Sequence, residues 1–131
     1  MTKFSNNISS VNYERKVELI ERSKQVKIAL NDFLLSRKIF NQHGITYQLG
    51  KAYVIYDNIY KERLTIEEQT ILFLYIIFPN DLEFIKLISR HNANLEEIGK
   101  LYSIPTNFVK LRCRILKEMQ EQKRLILKNN E

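Results

Sequence analysis

Residues 71–78, Ile-Leu-Phe-Leu-Tyr-Ile-Ile-Phe, form an unbroken apolar run that ends at Pro79. Eight residues cannot cross a bilayer, which takes about 20. Thr65 stands ahead of the run as an N-cap, with Glu68 three positions on as its capping-box partner. Proline cannot continue a helix, so Phe78 is its natural end. The spacing predicts a helix over 65–78, apolar all round and therefore enclosed on most sides. A chain containing such a segment must build the rest of its fold around it.

The remaining residues suit that task. At 131 residues the chain fits one domain with a sizeable core. Three glycines and two prolines leave little turn punctuation, which favours helices. Apolar content of 44% with 27% charge excludes a disordered chain. The single cysteine, Cys113, cannot close an internal disulfide, and Met1–Ser10 is too polar for a signal peptide. The expected setting is cytoplasmic, with no membrane contact and no cofactor.

The expected fold is mainly α with a small β element (α+β). Residues 1–10 read as a disordered start. Residues 11–41 form one or two helices, with Tyr13, Val17 and Ile20 at helical spacing. Asn41-Gln42-His43-Gly44 is a stop, Gly44 suiting a left-handed C′ position. Ile45–Leu49 and Ala52–Asp57 are rich in β-branched and aromatic residues and flank Gly50-Lys51, so 45–57 reads as a β-hairpin with a type II′ turn. Helices then follow over 80–128. Leu82, Ile85 and Ile88 share one face. Asn94 caps the next helix, with Ile98, Leu101 and Tyr102 inward. Pro105 opens a long last helix.

No catalytic set stands out. There is no His-Glu-x-x-His, no paired histidine and no Cys-x-x-Cys. His43 and His91 sit at predicted helix ends. Cys113 lies between two arginines, a setting that can activate a thiol, but no base accompanies it. The chain reads as a non-enzyme.

Two binding surfaces do emerge. Residues 95–114 have the cadence of a helix-turn-helix: Ile98 then Gly99 in the first helix, Ile104 in the turn, Val109 in the second. Thr106, Asn107 and Lys110 would face base edges, with Arg112 and Arg114 on phosphates. Two positions depart from the pattern: Ser103 where glycine is usual, and Arg112 where an apolar residue is usual. Net charge is +6, and residues 105–131 carry seven Lys/Arg against three Glu, which permits an acidic partner. The second surface is the stripe Phe108, Leu111, Ile115, Met119 and Ile126, close to a heptad. It suits a partner helix, a homodimer seam, or packing onto the chain's own core.

In order along the chain, AYVIYDN (52–58), EQTILFLYIIFP (68–79) and LEEIGKLYSIPTNFVKLRCRIL (95–116) resemble the ImmA/IrrE family of small zinc-peptidase-like proteins. In that family the pieces are a strand, a helix with a metal-binding glutamate (here Glu68) and a helix-turn-helix-like end. The resemblance implies a degenerate member: the nine residues 59–67 are too few for the His-Glu-x-x-His helix, and Glu68 alone cannot hold zinc. It also implies a non-catalytic regulatory role, binding a repressor or other regulatory protein. DNA binding is the alternative.

Overall fold

The computed structural model describes residues 7–36 and 44–130. They form six helices: α1 (Tyr13–Ser36), α2 (Ile45–Tyr60), α3 (Ile66–Ile77), α4 (Asp81–Arg90), α5 (Leu95–Tyr102) and α6 (Thr106–Asn129). The expectation of disorder up to residue 10 does not hold at its end, because Ile8 is buried in the core. The expected stop at residues 41–43 lies outside the described residues.

α3 is the centre. Thr70 to Ile76 are all buried, with α1 and α2 packed on it and on each other. The reciprocal capping box is present: Thr65 Oγ1 accepts the Glu68 N–H at 3.2 Å, and Glu68 Oε1 accepts the Thr65 N–H at 2.9 Å. Side chains of Asn80 and Asn94 cap α4 and α5 without the reciprocal bond, accepting from the Glu83 and Glu97 N–H groups. α1 buries Leu19, Val26 and Leu30, and Ile20 packs half-buried against them, while Tyr13 and Val17 are only half-buried. In α4 the buried residues are Phe84 and Leu87, while Leu82 and Ile85 face out; Leu101 of α5 is also exposed.

The β-hairpin is not formed; no strand occurs among the described residues, and 45–57 belong to α2. Leu49, Ala52 and Tyr56 are fully buried at spacings of three and four, the period of one helix face. Tyr47 and Val54, whose shapes suggested a strand, are exposed. Strand and helix propensities differ by no more than about 1 kcal/mol per residue. Burying three side chains against α1 and α3 outweighs that. Gly44 is the N-cap of α2, at φ −68° rather than in a left-handed conformation.

Gly50 separates the two descriptions experimentally. It is exposed within α2, and a Cβ there would meet no atom within 4 Å. Gly50→Ala should raise stability by about 0.5–1 kcal/mol, read as a higher urea midpoint. In a type II′ turn the first central residue needs positive φ, and the same change would be destabilising.

Candidate nucleic-acid interface

α5 and α6 pack directly on each other across the short turn Ser103–Pro105. Ser103 adopts the left-handed conformation, φ 58° and ψ 41°. It takes the backbone shape for which glycine is usual, so the serine changes the turn's cost and not its geometry. The Ile104 N–H donates to the Gly99 carbonyl at 2.9 Å. Gly99 is buried beneath that turn, where a Cβ would stand 2.8 Å from the Ile104 carbonyl oxygen. Ile98, Ile104, Phe108 and Val109 close the apolar side. The helix-turn-helix cadence is thus an actual helix–turn–helix.

The other side of α6 is open. Asn107, Lys110 and Arg114 are exposed and Thr106 is half-buried. Asn107, Lys110, Leu111 and Arg114 line a shallow depression of about 250 Å³. α3, α4 and α5 each begin with acidic residues, whereas α6 has none in its first turn and no side-chain cap on its N-terminus. Unopposed N–H groups and the helix dipole make such an end attractive to anions.

Arg112 does not join this surface. It is fully buried. Its Nε and Nη2 donate to the Phe78 carbonyl at 3.1 and 2.9 Å, and Nη2 also donates to Asp81. The guanidinium lies 4.0 Å from the Tyr75 ring centroid. Arg112 therefore ties the end of α3 and the start of α4 to α6. Burial pushes the Tyr75 hydroxyl up to about 12, against the opposing charge of Arg112. Burial likewise pushes the Cys113 thiol up, which removes the activation its two flanking arginines suggested.

The apolar stripe divides. Phe108, Leu111 and Ile115 are core residues, Met119 is half-buried, and Ile126 is exposed. Only the last two are within reach of another molecule.

Glu68 is occupied too. Besides capping α3, its Oε2 accepts from Arg15 Nε at 2.5 Å. Arg15 also pairs with Glu18 and Glu62. Arg22 donates to the Tyr56 hydroxyl at 2.6 Å and lies against Glu62. This ion cluster joins α1 to the α2–α3 loop, and the 15, 18, 22 spacing along α1 is its only local sign in the sequence. Residues 59–67, read as a gap too short for a zinc-site helix, are the end of α2, the loop 61–65 and the first two residues of α3. A helix does precede α3, but it contains no His, Cys or Glu. Among the described residues no group of three His, Cys, Asp or Glu could hold a metal ion.

Hydrogen bonding from Arg15 holds the Glu62 carboxyl below the usual carboxylate range, against the effect of burial. Burial pushes Glu68 up, but Thr65 and Arg15 outweigh it and leave this group low as well. Carboxyls lowered on folding release their protons more readily in the folded state. Their stabilisation is present above about pH 4.3 and is lost as pH falls through the folded values. Thermal midpoints should drop on acidification from about pH 5, and Glu62→Gln with Glu68→Gln should flatten that drop.

No helix among the described residues is long and apolar enough to cross a membrane. No family model, curated protein or solved structure matches the chain.

Proposed function

We propose that this chain is a non-catalytic regulator that binds duplex DNA through the start of α6. The observation that carries the reading is a run of exposed Asn107, Lys110, Arg114 and Lys117 on one open helix end, with no acidic residue before Glu118. Asparagine can pair bidentately with adenine and lysine with guanine in the major groove, while Arg114 and Lys117 suit phosphates. Thr106 and Asn107 lie in the first turn, where a recognition helix meets base edges.

The regulatory partner implied by the ImmA/IrrE resemblance, a repressor or similar protein, has less support. Its docking stripe is spent on the core at Phe108, Leu111 and Ile115. The strand that opened the series of resembling pieces is a helix.

Fluorescence anisotropy with labelled random-sequence duplexes tests the proposal. Binding should weaken steeply with salt, as counterion release requires. Arg114→Ala with Lys117→Ala should lower the salt slope by about 2, one for each phosphate-facing cation, without changing the helical signal. In duplexes selected from a random pool, Thr106→Ala and Asn107→Ala should relax sequence preference. Absence of any duplex binding at about 50 mM salt would overturn the proposal.

A further inference from the structure

A cleft of about 220 Å³ opens where the end of α3 meets α4 and the end of α5. Its lining is mostly apolar, with Phe78, Phe84 and Leu87 buried and Tyr102 half-buried. The Phe78 ring neighbours two others, its centroid 4.8 Å from Phe84 and 4.9 Å from Tyr102, each inclined rather than parallel. Arg112, which does not line the cleft, holds the Phe78 carbonyl through two hydrogen bonds. The aromatic wall is thus fixed before anything binds, which lowers the cost of binding.

The charged side chains on the cleft are Glu83 and Arg90, both from α4. Glu83 pairs with Lys86 at 3.6 Å, whereas Arg90 has no carboxylate partner among the described residues. Seven residues separate the two, about 10 Å along the helix axis. An anion held at Arg90 is therefore two turns away from Glu83. Size narrows the choice of ligand. A dry apolar cavity of about 150 Å³ holds one benzene molecule, so this cleft has room for such a ring and a short acidic arm. It falls short of the roughly 300 Å³ at which sites for drug-sized ligands begin.

We propose that the cleft binds a small aryl carboxylate, its ring against Phe78, Leu87 and Tyr102 and its carboxylate on Arg90. Inclined rings favour an aromatic guest, because edge-to-face contacts add to the burial of its surface. The planar guanidinium can take the carboxylate as a bidentate pair. The site shares no residue with the exposed surface of α6 and stands whether or not that helix binds DNA.

Isothermal titration calorimetry with phenylacetate at low salt should give a dissociation constant on the order of 0.1–1 mM, as a ligand of about ten heavy atoms allows. Phenylacetamide, alike in shape but uncharged, should bind roughly fivefold more weakly, the upper worth of an exposed ion pair. Cyclohexylacetate keeps the charge without the aromatic faces and should also bind more weakly. Arg90→Gln, at an exposed position, should bind acid and amide alike, with the helical signal retained. In ¹³C-labelled protein, phenylacetate should move the side-chain resonances of Leu87 and Tyr102. No binding by about 10 mM phenylacetate would overturn the proposal. So would equal affinity for the acid and either comparator, or an Arg90→Gln variant that still prefers the acid. Shifts centred on the cleft between α1 and α6, at Tyr13 and Met119, would overturn it as well.

Discussion

Arg112→Ala should lower stability by about 3–5 kcal/mol, the largest loss expected from any exchange discussed. Two effects add. Truncating a large, fully buried side chain leaves a cavity between Tyr75 and Phe84. The Phe78 carbonyl, at the C-cap of α3, loses both hydrogen bonds it accepts from Arg112. Removing the guanidinium also removes the desolvation cost of burying it, which offsets part of the loss. Arg112→Met keeps most of the volume and should cost less, about 1–3 kcal/mol, the cost of an unsatisfied buried acceptor. Urea unfolding reads both. If the alanine variant were as stable as the wild type, Arg112 would not be the tie between α3, α4 and α6. If instead Arg112→Ala left the fold intact but weakened binding to every duplex equally, the arginine would be on the surface after all.

Gly99→Ala should cost about 1–3 kcal/mol, the range for overpacking a tight contact. The new Cβ would press on the Ile104 carbonyl, which is backbone and can yield only by moving the turn. Because that turn sets α6 against α5, duplex affinity should fall even in the fraction that stays folded. The same substitution thus has opposite signs at two glycines, stabilising at the exposed Gly50 and destabilising at the buried Gly99. Urea midpoints of the two variants, measured side by side, check both.

The parts legible in the sequence are those decided by neighbours. Thr65 with Glu68, and Asn94, act within three residues of themselves, so their caps could be read directly. α3 was legible because a run apolar on every side has only one stable environment. α2 was not, because its β-branched and aromatic residues are favourable for strands. What makes it helical is the fit of Leu49, Ala52 and Tyr56 against helices elsewhere in the chain. Gly50 added a turn signal where no turn exists.

The candidate site was legible in part. Thr106, Asn107, Lys110 and Arg114 lie together on the accessible side of α6, as the helix-turn-helix spacing suggests. Arg112 sits two residues from both Lys110 and Arg114 and shares their chemistry. Its partner, however, is a carbonyl 34 residues away, and no local pattern records that. Phe108, Leu111 and Ile115 fit a docking seam and a core equally well by spacing. Their enclosure decides for the core, and leaves only the end of α6 for a second molecule.

Titration of ¹⁵N-labelled protein with a short duplex, followed by amide chemical shifts, tests the central reading most directly. The largest changes should fall on Thr106, Asn107, Lys110 and Arg114, with α1 and α2 little affected. An unchanged spectrum, or changes centred on α1 and α2, would contradict it.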